Sequence, residues 1–139
     1  MIRATLGLAA LLISSPSLAA PAGVVKITPA EAAGPVLERP ETTKGDNNGV
    51  PFKWFEMLKS ADKTVSAGFY EEGPSDISYD AYEVDEFMYF VTGGVTLTAA
   101  DGSVTEVGPG DGVTIPKGWK GRWKSSGYTK YYVTYESGR

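Results

Sequence analysis

Two stretches of opposite charge hold the side chains of this 139-residue sequence that are best suited to chemistry. Residues 71–86 contain seven carboxylates and no base, whereas residues 117–130 contain five bases and no acid. A carboxylate, an amine and a tyrosine in an apolar pocket have shifted pKa values and can act as general acid and base. The same groups can hydrogen-bond and stack on a small polar ligand, so catalysis and binding are both open.

The absence of histidine and cysteine limits this chemistry. Thiol nucleophiles and serine–histidine pairs are excluded. The acidic stretch provides only oxygen ligands, which suit Mg²⁺, Ca²⁺ or Mn²⁺ rather than Zn²⁺ or Ni²⁺. We therefore predict no cofactor and no metal site. The acid–base reactions that remain are isomerisation, elimination or hydrolysis of a sugar-like or carboxylate substrate.

Residues 1–19 are predicted to be an export signal. Arg3 supplies a positive charge, residues 6–13 form an apolar run, and Ser17 and Ala19 are small residues that fit a cleavage site. The run is too short for a bilayer, which needs about 20 apolar residues. The predicted location is periplasmic or secreted, with no membrane contact after cleavage. An uncleaved anchor is the alternative.

The remaining chain has the size of one domain and an acidic surface. Without Arg3, 12 basic side chains face 17 acidic ones, which gives a net charge of −5. Nucleic acid and anionic membranes require a basic face, so neither is a predicted partner. We predict a small polar or anionic molecule instead. With no disulfide available, stability depends on packing alone.

Short alternating segments from residue 64 onwards must position the candidate side chains. Their β-branched and aromatic residues lie between glycine, proline and Asp-Gly turns, which is typical of strands. The predicted strands are 64–71, 77–83, 85–92, 94–99, 103–107, 112–115, 119–124 and 129–136. This pattern predicts an all-β fold, a small antiparallel β-barrel or jelly roll, over residues 64–136.

Residues 20–63 are predicted to form an N-terminal arm. Thr28 and Pro29 favour a short helical turn, with Thr28 as its cap. The arm is equally compatible with a loose linker and with a segment packed on the barrel. Three aromatic residues within 52–58 are costly to expose, so this part is expected to bury against the domain as an aromatic clamp.

Several motifs resemble those of the cupin superfamily. The matching segments are Gly68–Glu71, Asp85–Gly93, Asp101–Gly102, Gly108–Asp111, Ile115–Trp123 and Lys130–Val133. Within the superfamily the chain is most similar to the small-barrel family of the (S)-ureidoglycine aminohydrolase cupin domain and the ethanolamine-utilisation cupin. The histidines that hold a metal in most cupins would fall near Asp80 and Tyr82 and on Gly121. Only the motif carboxylate, Glu86, remains.

The resemblance implies that Glu86 and Lys130 point into the barrel, where each would need the other because an unpaired buried charge costs several kcal/mol. We predict Glu86, Lys130 and Tyr82 as the catalytic candidates. The predicted ligand-binding residues are Tyr70, Asp80, Met88, Phe90, Trp119, Arg122, Trp123 and Tyr132. The acidic and basic stretches are expected to line opposite walls of one aromatic cavity. The expected solvated charges are Glu72, Asp76, Lys117 and Lys124.

Three functions follow from these expectations. The first is an exported cupin that binds a small polar or anionic molecule in its barrel without a histidine-bound metal. The second is a metal-independent isomerase, lyase or hydrolase with a Glu/Lys/Tyr acid–base set. The third is a structural homodimer whose cavity is filled by its own side chains, since the resemblance also implies pairing of two copies.

Overall fold

The computed structural model describes residues 21–137, so the predicted export signal lies outside the described residues. It contains one short helix, α1 (Pro29–Ala32), a 3₁₀ turn at Pro35–Glu38, and ten strands. The strands are β1 (Thr43–Asn47), β2 (Val50–Lys59), β3 (Val65–Glu72), β4 (Ser75–Tyr79), β5 (Asp85–Gly93), β6 (Val95–Ala99), β7 (Val104–Val107), β8 (Gly112–Ile115), β9 (Gly121–Ser125) and β10 (Tyr128–Tyr135). No helix within this part of the chain is long and apolar enough to cross a membrane.

The strands form two antiparallel sheets whose inner faces make the core. One sheet has six strands in the order β1-β2-β3-β10-β5-β8, and the other has four in the order β4-β9-β6-β7. Alternation is clearest on β5, where Glu86, Met88 and Phe90 are buried and their neighbours Phe87 and Tyr89 are exposed. The predicted all-β jelly roll is confirmed.

All eight predicted strands are present, with one clear difference in extent. The strand predicted at 77–83 ends at Tyr79, and residues 80–84 form a loop. Two backbone hydrogen bonds hold this loop: Tyr82 N–H donates to Trp119 O at 2.8 Å, and Gly118 N–H donates to Tyr82 O at 2.7 Å. Because the loop interrupts the strand, alternation cannot be carried backwards from β5 into β4.

The segment predicted as an arm contributes two strands to the larger sheet. β2 pairs along β3, and β1 pairs with β2 through a turn at Asn48 and Gly49, whose φ values are 53° and 88°. Asn-Gly supplies the left-handed conformations that a two-residue hairpin turn needs. The aromatic segment is buried as expected, because Phe52 and Phe55 are 3% and 1% exposed.

The N-terminal segment packs on the outer face of the six-stranded sheet. Thr28 caps α1, as the sequence predicted, and the structure adds a capping box with Glu31. Val36 and Leu37 of the following 3₁₀ turn are buried in one cluster with Phe55 and Phe69. The segment is therefore a packed cover over β2 and β3 rather than a linker.

Candidate functional site

A buried ion pair lies at the centre of the barrel. The Nζ atom of Lys130 on β10 lies 2.8 Å from Oε1 of Glu86 on β5, and both side chains are fully buried. The two strands are neighbours, and a bulge between Thr129 and Lys130 shifts their register. Bulges often re-aim a side chain next to a functional site, and here Lys130 points inward. The sequence-predicted pairing of these two charges is present.

Tyr82 completes the surroundings of Glu86. Its hydroxyl donates a hydrogen bond to Oε2 of Glu86. Burial, and then the negative charge of Glu86, raise the pKa of Tyr82 well above its ordinary value. Tyr82 therefore keeps its proton and acts as a donor. Both oxygens of Glu86 have partners, which is the condition for a buried carboxylate to be tolerated.

Three aromatic rings and a thioether surround the Lys130 ammonium. Its Nζ atom lies 5.6, 5.4 and 5.6 Å from the ring centroids of Tyr70, Trp123 and Tyr128. These distances fit cation–π contacts, which strengthen in sites without water. The Sδ atom of Met88 accepts a hydrogen bond from Nζ at 3.0 Å. The ammonium is thus held on several sides inside the protein.

The residues around Glu86 do not fit a bound metal ion. Its two oxygens are already engaged by Lys130 and Tyr82. Within residues 21–137 no group of three acidic, histidine or cysteine side chains could ligate one cation. A divalent cation would also lie against the Lys130 ammonium, which repels it. The Lys130 ammonium is itself the positive charge that neutralises Glu86 inside the barrel.

A cavity of about 190 Å³ opens at one end of the barrel, beside β2, β3 and β10. Its lining residues are Trp54, Lys59, Lys63, Thr64, Ser66, Tyr70, Val84, Tyr132, Thr134 and Glu136. Tyr70 is common to this cavity and to the aromatic surroundings of Lys130. We call this space the mouth cavity. It is one place where a ligand can approach Tyr70 and the barrel interior.

Two lysines and an ordered turn form the rim of the mouth cavity. Lys59 ends β2, and Lys63 lies in the turn to β3 with a φ of 64°. The Asp62 carboxylate accepts hydrogen bonds from the hydroxyls of Ser60 and Thr64 at 2.6 and 2.8 Å. Hydrogen bonding from Ser60, followed by that from Thr64, lowers the pKa of Asp62 to about 2. The hydrogen-bonded turn connects the two lysines, and both line the mouth cavity.

Most of the residues predicted to line the interior are there. Met88, Phe90, Trp123 and Tyr70 are buried in the core, and Tyr132 lines the mouth cavity. Trp119 is only half-buried; it packs near Tyr79 and borders a smaller cavity of about 100 Å³ on the other side of the barrel. Trp119 thus packs against the same core cluster as the other predicted binding residues of the core but does not line the mouth cavity.

Two predicted ligand-binding residues lie on the surface. Asp80 is exposed because it belongs to the loop after β4, where strand alternation has ended. Arg122 points outward from β9 and pairs with Asp76 on β4, with Nε–Oδ1 and Nη2–Oδ2 distances of 2.6 and 2.5 Å. The expectation that Asp80 and Arg122 face the cavity was wrong.

The expected charged walls are also absent from the interior. Of the twelve charged residues in the two stretches, only Glu72, Glu86 and Lys130 are buried. Glu72 was expected in solvent, yet it follows Tyr70 on the same face of β3 and accepts a hydrogen bond from the Tyr70 hydroxyl at 3.0 Å. The alternation of β3 could have revealed this. Sequence reasoning also missed Trp54 and Lys59, because it did not place β2 in the sheet. It missed Lys63 in the following turn and Ser66 on β3 as well, although Ser66 shares the strand face of Tyr70.

Comparisons with known proteins agree on the fold. The sequence model of the EutQ-like cupin domain matches residues 59–132. Solved structures that resemble the chain include a DUF861-family protein of unknown function from Pseudomonas syringae pv. tomato (21% identity, TM-score 0.61), covering 67% of this chain and 43% of that one. The EutQ protein of Clostridium difficile is 20% identical with a TM-score of 0.54, and the match covers 67% of this chain and 75% of that one. A protein of unknown function from Rhizobium leguminosarum bv. viciae is 23% identical with a TM-score of 0.55, and the match covers 84% of this chain and 100% of that one.

These similarities establish the architecture and leave the ligand open. Each of the three identities is below 25%, a level at which the shared property is the fold. This chain spans less than half the length of the Pseudomonas syringae protein. No curated protein matches the chain.

Proposed function

This chain belongs to the EutQ-like cupin family, and we propose that it is an exported member that binds a small anion at the end of its barrel without a histidine-bound metal. The observation that carries the proposal is the mouth cavity, which combines aromatic walls with two rim lysines. Small-molecule sites are concave and mostly apolar, with a few polar groups that fix orientation.

The charge of the rim favours an anion. Lys59 and Lys63 are exposed and line the opening, where Glu136 is the only carboxylate among the lining residues of the described chain. Neither lysine forms an ion pair with another residue of the 21–137 range. Among the lining residues two ammonium groups outnumber one carboxylate, which favours an anionic ligand and increases its rate of association.

The size of the mouth cavity restricts the ligand to a small molecule. Its volume of about 190 Å³ is below the range of roughly 300–1,000 Å³ typical of drug-sized sites. Trp54 and Tyr132 provide rigid aromatic contact surface on its walls. A short carboxylate or a sugar-derived acid suits these dimensions better than a nucleotide or a peptide.

Binding is favoured over acid–base catalysis by the state of Glu86. A general base must reach the proton that it abstracts, within hydrogen-bonding distance or through one water. Glu86 is fully buried, and both of its oxygens already accept hydrogen bonds from Lys130 and Tyr82. In our proposal Lys130 of the ion pair holds Tyr70 in place through its cation–π contact. The ligand contacts the aromatic residues of the mouth cavity and does not reach the Glu86 carboxylate.

Calorimetric titration with short carboxylates, uronic acids, sugars and amines tests the proposal. We expect carboxylates to bind, and the double variant Lys59→Ala/Lys63→Ala to weaken binding at least tenfold, since both rim charges are lost. The matched control is Lys120→Ala/Lys124→Ala, which removes two exposed lysines outside the mouth cavity. Binding should also persist in a chelator. Equal losses in both double variants, or tighter binding of amines than of acids, would contradict the proposal.

Export is tested separately, by measuring the mass of the protein isolated from each cell fraction of its native host. We propose that cleavage after Ala19 yields a mature chain that begins at Ala20. The expected result is the shorter mass in the periplasmic or extracellular fraction. A full-length protein retained in the membrane fraction would support the uncleaved anchor instead.

A further inference from the structure

A chain of hydrogen bonds runs through the wall of the mouth cavity. Trp54 Nε1 on β2 donates to the hydroxyl oxygen of Tyr132 on β10. That oxygen lies 3.3 Å from Oγ of Ser66 on β3. Ser66 Oγ in turn lies 2.8 Å from Oε2 of Glu56, back on β2. The first three of these residues line the cavity, and Glu56 lies behind them.

The chemistry of the two ends fixes the direction of every proton in the chain. An indole N–H can only donate, and an ionised carboxylate can only accept. The Ser66 proton is therefore directed to Glu56, which leaves the Ser66 oxygen to accept from Tyr132. Burial raises the pKa of Tyr132, so its hydroxyl keeps the proton that it donates. All three donors point along the chain, from Trp54 towards Glu56.

The cavity side of this wall consequently offers lone pairs and no protons. Each hydroxyl oxygen has two lone pairs. Tyr132 uses one to accept from Trp54, and Ser66 uses one to accept from Tyr132, so each has one left. A buried acceptor without a partner costs free energy, and so does an acceptor placed against another acceptor. A polar ligand atom that contacts the Tyr132 or Ser66 oxygen is therefore favoured when it is a hydrogen-bond donor.

We infer that the mouth cavity selects hydroxy acids, an inference that rests on the anion binding proposed above. The ligand's carboxylate lies towards Lys59 and Lys63, and its hydroxyl donates to the Tyr132–Ser66 wall. An ammonium is the other common donor, but the rim lysines repel it unless it belongs to an anion. The polar wall thus acts as the specificity-determining element, and the rim supplies the charge attraction.

A set of four-carbon acids separates these contributions. The probes are 2-, 3- and 4-hydroxybutyrate, butyrate, and the methyl ether of each hydroxy acid, titrated calorimetrically into the purified protein. We expect at least one hydroxybutyrate to bind about tenfold or more tightly than butyrate, because a site built to hydrogen-bond a hydroxyl rejects analogues that lack it. Its methyl ether should bind no better than butyrate, since an ether oxygen brings an acceptor to an acceptor wall.

Two variants test the proton direction itself. Ser66→Ala removes the acceptor that holds the Tyr132 proton, so this proton can turn towards the cavity and the wall becomes a donor. Glu56→Gln gives Ser66 an amide partner that can donate, which frees the Ser66 proton in the same way. In both variants we expect the methyl ether and 4-oxopentanoate to gain affinity relative to the hydroxybutyrate. Ser75→Ala, which alters a buried serine outside the mouth cavity, should leave the ranking unchanged.

The outcomes distinguish this inference from the proposal beneath it. If butyrate, the hydroxybutyrates and the ethers bind equally, the hydroxyl selectivity is overturned while anion binding stands. If none of these acids binds, and uronic acids also fail, the proposed function itself fails. A hydroxyl preference that survives unchanged in both Ser66→Ala and Glu56→Gln would show that another part of the cavity reads the hydroxyl.

Discussion

The ion pair between Glu86 and Lys130 is tolerated because every charged atom has a partner. Removing two charges from water costs several kcal/mol for each ion, and their attraction compensates only with good geometry and further hydrogen bonds. Here Tyr82 serves the second carboxylate oxygen, and three rings with Met88 surround the ammonium. The stability of the pair thus depends on keeping both members.

Removal of Lys130 alone should be strongly destabilising. We expect Lys130→Met to lower the free energy of unfolding by about 3–5 kcal/mol, because Glu86 is left buried without its counter-charge. The double variant Glu86→Gln/Lys130→Met should recover part of this loss, since the remaining groups are neutral. Urea denaturation measures both. Arg122→Met, which breaks an exposed pair with Asp76, is the control and should cost far less.

If Lys130→Met proved no more destabilising than the Arg122→Met control, the interior would have to admit water around Glu86. In that case the carboxylate would be available to a ligand, and the acid–base alternative would regain support. The comparison of the two variants therefore tests more than stability.

For the charged residues, burial is predicted better by position along a strand than by side-chain type. Alternation along β5 correctly predicted that Glu86, Met88 and Phe90 share the inner face. Glu72 was assigned to solvent because it is charged, although its spacing from Tyr70 places it inside. A glutamate is seldom buried without a partner, and for this reason Glu72 was predicted to be exposed. The Tyr70 hydroxyl is the partner that makes its burial possible.

At the scale of elements, β2 decides what the mouth cavity contains. It supplies Trp54 and Lys59 to the lining and Glu56 to the hydrogen-bond chain. Its aromatic residues predicted burial but not strand pairing, because the register shift between Glu56 and Leu58 interrupts the simple alternation of a strand. The binding residues of this strand could not be predicted without the partner that it pairs with.

Gly68 on β3 lets the backbone of β2 and the side chain of Tyr132 on β10 lie close to β3. A Cβ atom at this position would lie 2.2 Å from the carbonyl oxygen of Phe55 and 2.9 Å from the hydroxyl of Tyr132. We expect Gly68→Ala to lower the free energy of unfolding by roughly 1–3 kcal/mol through overpacking, and to weaken ligand binding. Chemical denaturation and calorimetry measure the two effects.

Gly112→Ala is the matched control for Gly68→Ala. A Cβ at Gly112 would meet its first neighbour, the Phe87 ring, at 3.4 Å, which is ordinary contact. The control should therefore fold and bind as the parent protein does. Equal stability of the two alanine variants would mean that β2 can move away from β3 at little cost, which the tight packing of Phe55 argues against.

The stabilisation that Asp62 gives to the rim turn should be lost only in strong acid. Hydrogen bonds lower the pKa of Asp62 from 3.8 to about 2, so folding favours its ionised form. The resulting stabilisation is fully present above the unfolded pKa and is lost as the pH falls from about 4 through about 2. Carbon-detected NMR titration of Asp62 should show this depressed pKa, and Asp62→Asn should remove the corresponding pH dependence of the free energy of unfolding. A midpoint near 4 would contradict the hydrogen-bonded turn.

At the scale of the whole molecule, the N-terminal segment covers only part of the outer face of the six-stranded sheet. Val36 and Leu37 lie over β2 and β3, on the side of Phe55 and Phe69. Val91 and Tyr131 on the adjoining strands β5 and β10 also pack against this cluster. Four further large side chains of these two strands are left 42–47% exposed; they are Phe87, Tyr89, Val133 and Tyr135. Phe87 and Val133 are direct cross-strand partners, which makes the exposed area continuous.

A second copy of the chain is the partner that we expect on this face. An apolar patch on a soluble protein marks an interaction surface, and a two-fold dimer buries the same patch from both copies. The double variant Phe87→Lys/Val133→Lys should therefore be monomeric at concentrations where the parent protein sediments as a dimer, since it places like charges in the interface. Val104→Lys is the control, because this valine on β7 is 58% exposed on the other sheet and its change should leave the dimer intact. A concentration of about 100 μM is well above the Kd expected for a standard-sized interface. If the parent protein sediments as a monomer at this concentration, the dimer prediction is wrong and the mouth cavity functions within a single barrel.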